Sequence, residues 1–268
     1  MAEKRRIKQK KKKKKKKFRK LFISTAAFIT AAVVVVFCLY YVYFETPYFE
    51  IVQVDVSGNL LYQKDYIIEQ SHVDNGERLF SVDRAKVKEN IEKEIYVESA
   101  RVVYELPNKI YIEIKEREEK YQIFYNNEYI VTDKYGIALR TSKEKNDLLT
   151  IESLTDVLYN IGNTAEFTDI DNINTIFETI EYLKGEFGSE TIKGLTVCKD
   201  NSVLINTEYG TVIRIKLGED IKYQIVFAMK IINERLNNNM TVASGLIDFT
   251  KGDSPVYIED YKMEDYNE

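Results

Sequence analysis

Residues 99–117 read SARVVYELPNKIYIEIKER. Ala100, Val102, Tyr104 and Leu106 share one face of a first strand, and Ile110, Ile112 and Ile114 one face of a second, across Pro107-Asn108-Lys109. Period-two alternation on either side of a turn cluster predicts a β-hairpin with one apolar face. Such a face needs cover.

The cover is found upstream. Gln63–His72 (QKDYIIEQSH) predicts a short helix, and Val73–Phe80 (VDNGERLF) the loop that leaves it. A second helix is expected from about Ser81 to Glu94, with Ser81 or Asp83 as N-cap and Phe80, Val87, Ile91 and Ile95 recurring at helical spacing. Before these, Val52, Val54 and Val56 alternate with Gln53 and Asp55 and stop at Ser57-Gly58-Asn59, a strand and its turn. The order from Phe49 to Arg117 is strand, helix, helix, strand, strand, near the lower size at which a domain folds alone.

Downstream the pattern changes to paired strands. Tyr121–Thr132 turns at Asn126-Asn127, Asp133–Arg140 turns at Gly136, and Thr141–Asp147 is a polar loop. Ile173, Ile176, Phe177, Ile180 and Leu183 predict an amphipathic helix. Strands LTVCK and SVLINT follow about Asp200-Asn201, then GTVIRIKL with Ile213, Ile215 and Leu217 on one face. Asp220 is placed to cap a helix carrying Ile221, Ile225, Met229, Ile232 and Leu236. Two short strands about Lys251-Gly252-Asp253 close the domain, before an acidic tail expected to be disordered.

The charge is unevenly spread. Residues 1–20 hold fourteen Lys or Arg and one acid, residues 21–44 hold none, and residues 45–268 hold 25 bases and 42 acids. The uncharged run Leu21–Phe44 would reach roughly 36 Å as a helix, enough for a hydrocarbon core of about 30 Å. It ends in FCLYYVYF, with no small-residue cleavage site, so an uncleaved anchor is expected, with Tyr40, Tyr41 and Tyr43 at the headgroups. The positive-inside rule places the basic tail in the cytoplasm and the body outside. Lys10, Lys11, Lys12, Lys13, Lys14, Lys15, Lys16, Lys17, Arg19 and Lys20 are expected to contact anionic lipid, each worth about 1 kcal/mol near the surface. This reading is preferred over nucleic-acid binding. The only cysteines are Cys38, in the span, and Cys198, in the body, so no disulfide is expected within one domain, and a bacterial envelope is the expected setting.

Catalytic signatures are sparse. No P-loop, G-x-S-x-G or G-x-G-x-x-G occurs. The single histidine, His72, with Asp74 and Glu77 nearby, lacks the ligand number of a zinc site, and Cys198 has no second histidine to activate it. The run Glu113, Lys115, Glu116, Arg117, Glu118, Glu119 is expected to be a solvated face with no desolvated pair. No catalytic residue, metal or cofactor is therefore expected.

The basic tail, single span and strand-helix-helix-strand-strand body resemble the FtsQ/DivIB bacterial cell-division proteins. FEIVQVDVSGN resembles the family's first strand and turn, GERLFSVDRAKV its loop into the second helix, and SARVVYELPNKIYIEIKER its closing hairpin; together they resemble a POTRA domain. VTDKYGIAL, GTVIRIKLGED and LIDFT resemble the family's C-terminal β domain. The expected fold class is α+β: basic tail 1–20, transmembrane helix 21–44, POTRA-like domain 45–118, a mixed, mainly antiparallel β domain with helices at 119–258, and tail 259–268.

The resemblance implies a non-enzymatic scaffold at the septum. It would bind small coiled-coil division proteins of the FtsL and FtsB/DivIC types through its last strands, around Phe249, Thr250, Val256, Tyr257 and Ile258, and would help regulate septal wall synthesis. The alternative is an anchored extracytoplasmic hydrolase or sensor whose site is scattered in sequence.

Overall fold

The computed structural model describes residues 2–170, 174–218, 220–252 and 254–261, with side chains from residue 23 onward. The chain divides into two compact units, Met1–Ile91 with Ser99–Ile114, and Glu92–Glu98 with Lys115–Glu268.

The first unit begins with one continuous helix, α1 (Ala2–Glu45). Its stretch Ile23–Glu45 is 23 residues long and holds a window of mean hydropathy 2.3, long and apolar enough to cross a membrane. The basic residues Lys10–Lys17, Arg19 and Lys20 lie on the backbone course of α1, and their side chains fall outside the described residues. Thr46 and a 3-10 turn, Pro47–Phe49, end the helix.

Then come β1 (Gln53–Ser57), α2 (Lys64–Ser71), α3 (Arg84–Ile91), β2 (Val97–Glu105) and β3 (Lys109–Glu116). The sheet order is β1-β3-β2, with β1 parallel to β3 from Gln53 opposite Lys109 to Ser57 opposite Glu113. A parallel pair needs a long crossover, which α2, α3 and β2 supply. Ile110, Ile112 and Ile114 of β3, with Ala100 and Val102 of β2, are buried as their alternation predicts. Ile67, Leu79, Val87 and Ile91 bury the apolar side of the helical layer.

Several positions differ from expectation. Leu106 is 68% exposed, because β2 ends at Glu105 and Leu106 belongs to the turn. Helix α3 starts three residues later and ends three earlier than the periodicity suggests. Phe80 and Ile95 accordingly lie off it and are exposed, while Asp83 Oδ1 accepts from the Ala85 N–H as the cap. Val52 precedes β1 and is exposed, leaving Val54 as the buried valine of that strand.

The second unit is built on a nine-stranded sheet. Its strands are β4 (Tyr121–Tyr125), β5 (Glu128–Thr132), β6 (Ala138–Ser142), β7 (Leu149–Ser153), β10 (Ile192–Val197), β11 (Ser202–Thr207), β12 (Val212–Lys216), β13 (Leu246–Asp248) and β14 (Val256–Ile258). A separate pair is formed by β8 (Val157–Leu158) and β9 (Glu166–Phe167). The helices are α4 (Asn174–Phe187) and α5 (Ile221–Asn237). The order across the sheet is β14-β13-β12-β11-β10-β7-β4-β5-β6.

Two antiparallel runs, β4-β5-β6 and β10-β11-β12, are joined by β7, which is parallel to both β4 and β10. The strand β13 is parallel to β12 and antiparallel to β14. The sheet is mixed and mainly antiparallel, as expected, but the central β7 is not visible as a strand in the sequence reading. Only Ile151 of β7 is fully buried and Leu149 only partly, so its apolar signal is two residues long.

Helices α4 and α5 supply the other half of this core. Ile176, Phe177, Ile180 and Leu183 join Ile225, Ala228, Met229 and Ile232 in one cluster with Ile123, Ile151, Leu195, Ile205, Ile213, Ile215 and Ile247 from the sheet. Asp220 caps α5, accepting from the Tyr223 N–H at 3.2 Å. Leu236, expected on the apolar stripe, is exposed near the end of α5. Ile173 and Asp253, and residues 262–268 of the acidic tail, lie outside the described residues.

Within the sheet, the buried Gln122 amide donates to the Asn146 and Leu148 carbonyls at 2.8 and 3.0 Å and accepts from the Asn146 N–H. One side chain thus ties β4 to the polar loop that delivers β7.

Gly58 has φ +79, and a Cβ there would meet the Ile114 carbonyl oxygen at 2.0 Å. Gly58→Ala should therefore destabilise the first unit by more than about 1 kcal/mol, since it combines left-handed strain with backbone overlap. Ile112→Ala should cost about 2–5 kcal/mol through the cavity it leaves. Chemical denaturation of the detergent-solubilised protein checks both, and unchanged midpoints would show that these residues do not hold the sheet.

Candidate functional site

The chain's open feature is a sheet edge. Strand β14 is terminal in the sheet order and pairs with β13, Ile258 opposite Leu246, Tyr257 opposite Ile247 and Val256 opposite Asp248. At the other end, β6 is overlaid at its first residue. Ala138 donates to the Asn163 carbonyl, Gly162 donates to the Ala138 carbonyl, and Ile137 bridges Thr164. Among the described residues, β14 shows no comparable backbone cover.

The five residues expected to bind a partner are brought together there, but not in one way. Val256 is 43% exposed. Tyr257 and Ile258 are half-buried. The Arg235 guanidinium stacks 3.8 Å from the Tyr257 ring centroid, and Arg235 also pairs with Glu259 at 2.8 Å. On its other side Tyr257 fills the space a Cβ on Gly245 would occupy. Phe249 belongs to the core, edge-on to Phe227 at 6.5 Å. Val256 therefore presents the side chain, whereas Tyr257 and Phe249 hold the strand in place.

A charged cluster fixes the strand next to this edge. Asp248, fully buried, accepts from the Thr250 N–H at 2.8 Å and the Thr250 hydroxyl at 2.7 Å, and lies 4.0 Å from both Arg214 and Lys251. Arg214 donates to Asp200 at 2.7 Å and to the Ser202 hydroxyl at 3.2 Å. Burial pushes the Asp200 carboxyl up, but the Ser202 hydroxyl and the Arg214 guanidinium outweigh it and hold it below its ordinary value. A buried carboxylate that loses its partners is costly, so this cluster orders Thr250 and the start of the β13–β14 connection.

The charge run at residues 113–119 behaves differently from expectation. Arg117 pairs with Asp133 at 2.7 Å, and both side chains are largely buried. The same Asp133 accepts from the Tyr135 and Ile137 N–H groups at 2.9 Å, closing the turn at Gly136. Glu119 takes a bidentate contact from Arg140, at 2.7 and 2.8 Å, and accepts from the Tyr96 hydroxyl at 2.9 Å. The expected solvated face thus contains a desolvated pair, because Asp133 and Arg140 come from beyond the run and no local pattern announces them. These contacts fix the linker and carry no catalytic geometry.

His72 has φ 53 and ends α2, with its Nδ1 2.8 Å from the Gln70 carbonyl. Cys198 follows β10 rather than lying within it, and burial pushes its thiol up, which disfavours the nucleophilic thiolate.

The Arg140 contact, aided by the Tyr96 hydroxyl, holds the Glu119 carboxyl below its ordinary value against the opposing effect of burial. A carboxyl depressed in the folded state stabilises above its unfolded pKa, and that contribution is lost as pH falls through the folded value. Acid titration of the unfolding midpoint should therefore show a component that disappears in Glu119→Gln. Parallel acid limbs for the two proteins would contradict this assignment.

Comparison with known proteins matches the strand-helix-helix-strand-strand region to a described domain. Residues 49–117 match the family model "POTRA domain, FtsQ-type". The chain is 35% identical over 97 residues to the cell division protein DivIB of Clostridium acetobutylicum, covering 36% of this chain and 39% of that protein. It is 32% identical over 125 residues to DivIB of Clostridium tetani, 44% of this chain and 46% of the relative. It is 23% identical over 178 residues to the cell division protein FtsQ of Syntrophotalea carbinolica, 66% and 62% of the two chains. The matches to both DivIB proteins span less than half of those relatives' length. The chain thus carries a POTRA domain of the FtsQ type and is a relative of the DivIB and FtsQ cell-division proteins.

Proposed function

We propose that this chain is a membrane-anchored, non-enzymatic scaffold of the bacterial division machinery. Helix α1 crosses the cell membrane, with the lysine-rich segment on the cytoplasmic side against anionic lipid, and both folded units lie outside. Positive charge concentrated before the span and acidic charge after it favour that orientation. The relatives named as cell-division proteins support a place at the septum.

The observation that carries the partner reading is the contrast between the two sheet edges. An edge strand presents unpaired N–H and C=O groups that another chain can continue by strand addition. Strand β14 offers that row, while loop 160–165 pairs with the start of β6 at Ala138. The occupants proposed are the extracytoplasmic segments of small bitopic coiled-coil proteins of the FtsL and FtsB/DivIC types. Main-chain pairing supplies the affinity and Val256 a side-chain contact. Bound there, they let the scaffold regulate septal wall synthesis without performing it.

A photo-crosslinking residue at Val256 should capture such a bitopic protein in dividing cells, whereas the same residue at Thr141 on β6 should not. Equal capture from both positions, or none from Val256, would contradict strand addition at β14.

A further inference from the structure

The POTRA-domain loop containing Arg78 and Phe80 has a feature that partner binding leaves unused. Arg78 donates to the main-chain carbonyls of Tyr43, Phe44 and Thr46, the last two at 2.5 and 3.2 Å. These belong to the end of α1, whose final carbonyls have no partner within the helix and carry the negative end of its dipole. The guanidinium also lies 5.6 and 6.0 Å from the ring centroids of Tyr43 and Phe44.

The loop is fastened to the segment leaving α1 through its backbone as well. Ile51 donates to the Glu77 carbonyl at 2.8 Å, Gly76 donates to the Ile51 carbonyl at 2.8 Å, and Glu50 bridges Arg78. Phe80 then packs 5.9 Å from the Tyr43 ring, 5.5 Å from Phe49 and 5.7 Å from Tyr104. Tyr104 in turn donates to the Val82 carbonyl at 2.5 Å and receives Arg84 over its ring at 4.6 Å. Despite these contacts Phe80 remains 49% exposed and Tyr48 56% exposed.

We infer that Arg78 clamps the POTRA domain to the end of the membrane helix, so that the exposed Phe80–Tyr48 face rests in the headgroup layer of the bilayer's outer leaflet. This rests on the reading that α1 spans the membrane. Given that span, Tyr43 sits at the far interface, and a ring within 6 Å of it shares that depth. Aromatic side chains with an apolar body suit this layer, which would cover surface that water otherwise meets. The occupant is the lipid surface because the patch is continuous with the last turn of the spanning helix.

The chain has no tryptophan, so one introduced residue is a unique fluorophore. The full-length protein is reconstituted in vesicles of brominated phosphatidylcholine with Phe80→Trp, Val35→Trp in the span, or Leu60→Trp. Leu60, 93% exposed, lies beyond the far end of β1, a strand of roughly 13 Å. Quenching is expected for Val35→Trp and Phe80→Trp and not for Leu60→Trp, and adding Arg78→Ala should abolish it at position 80 alone. If Val35→Trp is quenched while Phe80→Trp matches Leu60→Trp, the lipid contact is overturned and the span stands. Quenching at neither position 35 nor 80 overturns the span and this inference with it. Quenching at Leu60 equal to that at Phe80, or undiminished by Arg78→Ala, overturns the placement of this face or the clamp.

Discussion

The second unit depends on one parallel strand. Without β7 between β4 and β10, the two antiparallel runs would be separate small sheets with four edges between them. With it they form one nine-stranded surface whose apolar face is long enough for α4 and α5 to cover together. A parallel partner needs a connection that returns the chain to the same end of the sheet. The buried Gln122 amide arranges this by holding the loop before β7 through Asn146 and Leu148. Joining the runs also decides where pairing stops. It leaves two edges, and loop 160–165 covers the start of β6 at Ala138.

The two ends of the molecule's chemistry then follow similar logic. At β14, main-chain groups are presented by a strand whose Tyr257 is held between Arg235 and Gly245, next to the Phe227–Phe249 contact of the core. At the exit of α1, main-chain carbonyls are capped by Arg78, beside the packed rings of Tyr43, Phe49 and Phe80. In each case an arginine holds local structure, Arg235 through the Tyr257 ring and Glu259, Arg78 through the helix-end carbonyls. The Asp248 and Arg117–Asp133 groups extend the pattern, since their partners are backbone N–H groups and arginines.

Much of this was legible in the sequence where the signal is local. Ile110, Ile112 and Ile114 declare their face by alternation, and Asp220 declares the start of α5 because capping involves residues three apart. Strand β7 was not legible, because a central strand with one fully buried apolar residue lacks the periodicity that marks the others. Leu106 misled because alternation continues by chance into a turn, and Phe80 because its helical spacing is satisfied by a loop packed on α1. The candidate edge was located through family resemblance, and its residues sort by role only once Tyr257 is seen over Gly245 and Phe249 within the core. The Arg117–Asp133 pair lay beyond local reading for a simpler reason: its members are separated by a strand hairpin.

The central claim is that β14 is the strand another protein continues. Hydrogen–deuterium exchange of the whole chain in nanodiscs, alone and co-reconstituted with the proposed bitopic coiled-coil proteins, tests this most directly. Strand addition would slow exchange at the amides of residues 256–258 and leave those of β6, residues 138–142, unchanged. Protection confined to other elements, with β14 exchanging at its free rate, would contradict the account.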